Sequence, residues 1–210
     1  MNSAKGKAAV FLLALVALLL CACGATRPSK YYQLTIPGDA TVGQAADPPP
    51  APVTLLVGNL FASDLYREDR IVYSTAGEQM GTYEYERWAE PPTEMIQEVL
   101  LRELRSSGRY RAVFTHKSDT NGDFLLRGRL YDFKEVSGSG MLARLTVEFE
   151  MRDLKNGATV WTHYYRHDEP VNGKNVPAVV AALDKNVQRA VKEALESLDQ
   201  YFVSHPSNSK

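Results

Sequence analysis

Met141-Leu142-Ala143-Arg144-Leu145-Thr146-Val147-Glu148-Phe149-Glu150-Met151-Arg152 is the stretch that decides the fold. Met141, Ala143, Leu145, Val147, Phe149 and Met151 form one series, and Leu142, Arg144, Thr146, Glu148, Glu150 and Arg152 form the other. Successive side chains of a strand point to opposite faces, so this period of two predicts a strand buried on one side and wet on the other. Residues 123–136 precede it through Ser137-Gly138-Ser139-Gly140, and residues 158–167 follow it through Asn156-Gly157, a strong hairpin signal. Three consecutive antiparallel strands with one apolar face result. Residues 176–202 offer the cover: Val176, Val180, Leu183, Val187, Val191, Ala194, Leu198 and Phe202 fall on one helical stripe, with Asn175 as N-cap. Such a helix would extend about 40 Å, longer than one small sheet is wide. Its end is expected to project, to meet a partner, or to fray into the polar tail 204–210.

The half of the chain before the meander reads as further strands and a second helix. Tyr31-Tyr32-Gln33-Leu34-Thr35-Ile36, Val53 to Val57, Asp69 to Thr75 and Thr82 to Glu86 carry β-branched and aromatic residues, with Gly77 and Gly81 between the last two. Residues 37–52, ending in Pro48-Pro49-Pro50-Ala51-Pro52, read as a proline-rich loop or spacer rather than as a ligand for a recognition module. After Pro91-Pro92-Thr93, residues Met95, Ile96, Val99, Leu100 and Leu104 take helical spacing until Gly108, which predicts a helix over about 93–107. Residues 109–115 return as a strand, and Asp119-Thr120-Asn121-Gly122 makes a turn. The expected class is α+β, a mostly antiparallel sheet covered by two helices of which the C-terminal one is longer.

The composition of the 210 residues, 44% hydrophobic and 23% charged, suits one globular domain, and a net charge of −1 excludes a whole-chain electrostatic grip on nucleic acid. The N-terminus is set apart. Lys5 and Lys7 precede an unbroken apolar run from Ala8 to Leu20, too short to cross a bilayer and suited to a signal peptide. The run closes in Leu20-Cys21-Ala22-Cys23-Gly24, which resembles the lipobox of bacterial lipoproteins, with leucine three residues before the acceptor and a small residue just before it. Cys23 is the expected lipidation site, while Cys21 fails because bulky Leu20 precedes it. The organisation read from this is a signal peptide 1–22, a lipidated tether 23–30, a domain 31–203 and the tail. Losing residues 1–22 removes two lysines and no acid from 24 basic and 25 acidic residues, which leaves 22 against 25, a net charge of −3 and no disulfide. Gly24, in place of aspartate, resembles an outer-membrane sorting signal.

No glycine-rich phosphate loop, nucleophile elbow or zinc signature is present, so no cofactor or metal is expected. His163 and His167 would stand roughly 13 Å apart on a strand, too far for one ion, and read as exposed or hydrogen-bonded. His116 is isolated, Ser74 and Ser106 lack a recognisable nucleophile setting, and Glu94 and Glu98 read as a solvated helix face. The remaining conspicuous residues are Tyr66-Arg67-Glu68-Asp69-Arg70 and Arg87-Trp88-Ala89-Glu90-Pro91, where charges alternate around aromatic rings. Ion-pair or cation–π contacts between the two stretches are expected. Two readings stay open, a corner inside the domain where Trp88 fills the core edge beside the helix start, and a partner surface of Tyr66, Arg67, Arg70, Arg87 and Trp88.

In order, Cys23, Tyr31-Tyr32-Gln33-Leu34, Leu65 with Arg70-Ile71-Val72-Tyr73, Arg87-Trp88-Ala89-Glu90-Pro91, the meander with Trp161 and the terminal helix resemble the ABC-type transport auxiliary lipoprotein family. The arginine-tryptophan-alanine-glutamate-proline run is the most specific element, and Pro92 departs from the leucine expected after it. The resemblance implies a lipid-anchored, non-enzymatic domain on the periplasmic face of the outer membrane. Its implied partners are a membrane-anchored mammalian-cell-entry-type protein with the permease and ATPase of the same system, which resemble machines moving phospholipid or other hydrophobic cargo between membranes. Self-association into a ring is a further option. Two rival readings are an envelope-assembly lipoprotein that activates a cell-wall synthase, and a lipid-binding or hydrolytic domain with an internal cavity.

Overall fold

Alternation in the deciding stretch is realised as a strand of 13 residues, Met141–Asp153, flanked by Phe124–Ser137 and Thr159–Pro170 in antiparallel register. The computed structural model describes residues 27–36, 51–75 and 79–206. In chain order its strands are β1 (Lys30–Tyr32), β2 (Ala51–Ala62), β3 (Arg70–Ser74), β4 (Met80–Trp88), β5 (Tyr110–Thr115), β6 (Phe124–Ser137), β7 (Met141–Asp153) and β8 (Thr159–Pro170). Helix α1 (Pro92–Ser106) lies between β4 and β5, and α2 (Val176–Ser204) closes the chain. Ala143, Leu145, Val147, Phe149 and Met151 of β7 are all buried, whereas Arg144, Glu148, Glu150 and Arg152 keep access to water on the opposite face.

Both tight connections follow from their glycines and asparagine. Gly157 takes φ +73°, a left-handed value that favours glycine, and the side chain of Asn156 accepts from the Ala158 N–H at 2.8 Å. Gly108 at φ 61° follows the last turn of α1, as the sequence predicts for a residue just past a helix end. Asn175 caps α2, its side chain accepting from the Ala178 N–H at 3.0 Å.

Beyond the meander the sheet is mixed, and this part is not foreseen by the sequence. The far edge of β6 is shared. Its first half pairs parallel with β2, through Leu55↔Phe124 to Ala62↔Leu130, and its second half pairs parallel with β3, through Val72↔Lys134 to Ser74↔Val136. Strand β2 also pairs parallel with β5, while β3 carries antiparallel β4 and, at the margin, parallel β1. Helix α1 packs on β2 and β5, and α2 packs on β7 and β8 with α1 beside it. The apolar stripe of α2 is buried from Val176 to Phe202. Its length is used rather than left projecting: Phe202 packs edge-on against Tyr110 at 5.8 Å and Phe124 at 5.6 Å. The extra parallel strands make the sheet wide enough to receive the whole helix.

Several boundaries move for physical reasons. β1 is shorter than residues 31–36, because Thr35 is drawn out of the sheet by Asp184 of α2, which accepts from its N–H at 2.9 Å and its hydroxyl at 2.7 Å. Leu34 is buried beneath this contact. Ala51 and Pro52, read as loop, open β2, where Pro52 sits near the strand start. Gly81 stands inside β4 instead of in the turn before it, and a Cβ there would meet the Tyr73 ring at 2.6 Å, so glycine leaves room for that ring. Residues 37–50, the leader with Cys21 and Cys23, Gly77 and the last four residues of the tail lie outside the described residues.

Candidate functional site

The two charged stretches meet at the margin of the sheet where β3 begins, β4 ends and β1 enters. Arg70 and Arg87 are register partners. The Trp88 N–H donates to the Asp69 carbonyl at 2.7 Å, and the Arg87 guanidinium donates to the Asp69 carboxylate at 2.8 Å. Tyr31 and Tyr32 pair with Arg87 and Trp88, and the Ala89 N–H donates to the Tyr32 carbonyl at 2.7 Å. Pro91 and Pro92 then start α1, with Pro92 at a first-turn position where a missing N–H costs nothing and φ is already helical. This explains how proline can stand where leucine is expected.

Burial divides the five candidate residues. Trp88 is 1% exposed and stacks obliquely on Phe133 at 5.2 Å, and Tyr66 is 3% exposed. Neither can contribute contact area to a partner surface, because both rings fill the core under the corner. Burial pushes the pKa of the Tyr66 hydroxyl up to about 12. Arg67 and Arg70 are exposed and Arg87 is half-buried. Arg67 pairs with Asp64, Arg70 with Glu68 at 3.4 Å, and Arg87 with Asp69. The expected contact between the stretches is therefore the Arg87–Asp69 ion pair. Cation–π contacts fall elsewhere, with Arg27 over Tyr85 at 5.5 Å.

Asp64, Glu68 and Asp69 pair with the three arginines and Glu90 stands exposed beside them, so the corner presents a hydrogen-bond-rich rim rather than a concentrated positive charge. Beside it, Glu86 accepts from the Tyr32 hydroxyl at 2.5 Å and from Lys30 at 3.3 Å. The tyrosine bond, with help from Lys30, holds the Glu86 carboxyl below its ordinary range. Arg67 also borders a groove of about 620 Å³ with Ile36, Leu60, Glu94, Leu101 and Lys117, open between the start of α1 and the ends of β2 and β5.

A second constellation escapes the sequence reading. Asn186 is fully buried in the middle of α2, donating to the Ala143 and His167 carbonyls at 3.0 Å each and accepting from the Tyr165 hydroxyl at 2.6 Å. One turn away, Glu169 receives Lys185, Arg189 at 3.0 Å and His167 at 3.3 Å, and chiefly the Lys185 hydrogen bond holds its carboxyl below the ordinary range. Asn186 lies three residues from Leu183 on the apolar stripe, and a polar residue at such a position is the signal that could have found it.

Other candidates behave differently from a catalytic site. The Ser74 and Ser106 hydroxyls donate to the Glu135 and Glu103 carbonyls at 3.3 Å and 3.1 Å. His167 makes the contact expected of it, but His163 does not: its Nε2 is buried with no partner among the described residues, the ring stacks on Trp161 at 6.0 Å, and burial lowers its pKa. Helix α2 covers the inner face of β8 and takes water away from it. Among the described residues no three His, Cys, Asp or Glu side chains converge on a metal position, and no helix is long and apolar enough to cross a membrane.

Residues 32–194 match the model of a family described as the ABC-type transport auxiliary lipoprotein component. The chain belongs to this family. The match takes in both the Arg87–Asp69 corner and the Asn186 clamp of this auxiliary lipoprotein, and it begins beyond Cys23. No curated protein sequence matches the chain. Among solved structures, protein XCC0632 from Xanthomonas campestris is 19% identical with a TM-score of 0.72, over 84% of this chain and 98% of that one. The hypothetical protein CT253 from Chlamydia trachomatis is 11% identical with a TM-score of 0.51, over 72% and 98%. Both show that the auxiliary lipoprotein shares their fold.

Proposed function

We propose that this auxiliary lipoprotein is held by lipid on Cys23 at the periplasmic face of the outer membrane, and serves an ABC transport system of the mammalian-cell-entry type by docking, without catalysing a reaction itself. The family membership over residues 32–194 carries this reading. The partners would be the membrane-anchored entry-type subunit, with the permease and ATPase that supply energy, and the cargo a lipid or other hydrophobic compound. Geometry adds a constraint. Cys23 precedes β1 by seven residues, which can span at most about 25 Å, so the corner beside β1 stays close to the bilayer. A rim of arginine–carboxylate pairs over buried aromatic rings suits hydrogen-bonded contact with a protein surface.

Reversing both exposed cations, with Arg67→Glu and Arg70→Glu together, tests the docking corner. Both side chains point to water, so the melting temperature is expected to stay within a few degrees of the parent. Chemical crosslinking of the entry-type subunit is expected to fall about tenfold, as loss of two rim contacts and added repulsion would cause. Unchanged capture by a folded double variant would remove this corner from the mechanism.

A further inference from the structure

The sheet has an open side far from the docking corner. The Val171 N–H donates to the Met141 carbonyl at 3.0 Å, and Ala143↔Glu169 and Leu145↔His167 continue the same register. In an antiparallel ladder the hydrogen-bonded residues alternate with residues whose backbone groups point the other way. Odd-numbered residues of β8 therefore bond to β7, and Thr162, Tyr164, Arg166 and Asp168 turn their N–H and C=O groups outward. Among the described residues no strand pairs with that side of β8. From Thr162 to Glu169 the edge contains no proline, and its only register shift lies outside this stretch, opposite Met151 and Arg152. These are the devices that ordinarily blunt a free edge.

The charge along this edge is uneven: it is positive at the Arg166–Glu169 end, whereas Glu148 opposite Tyr164 and Glu193 near His163 and Tyr165 make the Thr162 end acidic. Asp168 is taken up by a two-pronged bond from Arg144, both contacts at 2.7 Å. Glu169 is only 8% exposed beneath Lys185, Arg189 and the His167 ring, whereas Lys185 is 64% exposed and Arg189 35%. Arg166 and Tyr164 stand exposed on the outer face, Tyr164 at 59%. What meets an approaching chain at the Arg166–Glu169 end is a row of unused backbone groups with Arg166 on the outer side and Lys185 and Arg189 on the inner side.

We propose that the free edge of β8 is a strand-addition site that takes an extended, acidic segment of a partner polypeptide. Backbone pairing would give the affinity, and Arg166 with the Lys185–Arg189 cluster would select the sign of the incoming side chains. A second copy paired about Arg166 would set like charges against each other, which disfavours it as the occupant. The site stands apart from the Arg67–Arg70 corner, at the other margin of the sheet, so either can fail while the other holds.

Photocrosslinking in the cell of origin tests this with the full chain, benzoylphenylalanine replacing Tyr164 and the joined peptide being sequenced by mass spectrometry. The expected product is an acid-rich segment of another polypeptide. Its yield should drop about five- to twentyfold with Arg166→Glu, which turns a favourable cross-strand pair into a repulsive one, and return with Arg166→Lys. Thr162→Pro should cause a similar loss by deleting one outward N–H while sparing the bonds to β7. If that variant does not fold, the exposed Arg166 pair of variants decides alone. No product, a product from a second copy of this chain, a basic segment, or a yield indifferent to Arg166→Glu overturns the proposal.

Discussion

Cys23→Ser should take the protein out of the washed outer-membrane fraction and leave it unprocessed, the largest effect expected of any single change in the chain. Serine keeps the size of the side chain but removes the thiol to which, on the proposed reading, a diacylglyceryl group would be joined, and with it the step that would license cleavage before residue 23. Each buried methylene contributes roughly 0.8 kcal/mol, and a single chain holds a protein only marginally, so stable attachment depends on several chains on one residue. The uncleaved variant would keep the apolar run Ala8 to Leu20, so any membrane association left to it is expected through that leader and away from the outer membrane, while the rest of the chain, with 22 basic against 25 acidic residues, gains nothing from anionic lipid. Cys21→Ser provides the contrast, because Cys21 would leave with the leader, and that variant should fractionate and migrate as the parent does. Intact mass and carbonate-washed membrane fractions read both outcomes.

Asn186→Leu should be the most damaging exchange of one side chain for another of similar size within the domain. Leucine fits the apolar stripe of α2, but it removes the acceptor of the Tyr165 hydroxyl and the donors to the Ala143 and His167 carbonyls, all in a place water does not reach. The Tyr165 hydroxyl is a donor at neutral pH like that of any tyrosine, and because it is buried, with its pKa pushed up to about 12, it needs that acceptor. A buried polar group deprived of its partner costs about 1–3 kcal/mol, and a connected network costs more than its parts. The expected loss is about 2–3 kcal/mol, a fall of roughly 5–10 °C in Tm for a domain of this size. Tyr165→Phe alone should cost less, and combining it with Asn186→Leu should cost less than the sum, since phenylalanine no longer asks for an acceptor. Strict additivity in urea unfolding would show that the two side chains do not act as a clamp.

What could be read from the residues was local. The β6–β7–β8 meander announces itself through alternation and the Asn156-Gly157 turn, and both helices through apolar spacing, Pro91-Pro92, Gly108 and Asn175. The parallel pairs of β2 with β5 and β6, and of β3 with β6, join segments far apart in sequence and leave no turn signature between them. Without those pairs the sheet looks narrower than α2 is long, which is why the end of the helix could not be placed. At the corner, charge alternation pointed to the Arg87–Asp69 pair, but tryptophan and tyrosine serve cores and interfaces alike. Only packing against Phe133 shows that Trp88 faces inward. His163 is a similar case, since nothing on its own strand tells that α2 will cover it and leave its Nε2 without a partner among the described residues.

Isolation of the lipidated full-length protein from its own membranes, after crosslinking and in mild detergent, tests its place in transport most directly. Mass spectrometry of the retained proteins should find a permease, its ATPase and a membrane-anchored entry-type subunit, and should lose all three from the Cys23→Ser strain. A cell-wall synthase in their place, or the same three subunits recovered in full without the anchor, would contradict a tethered docking role.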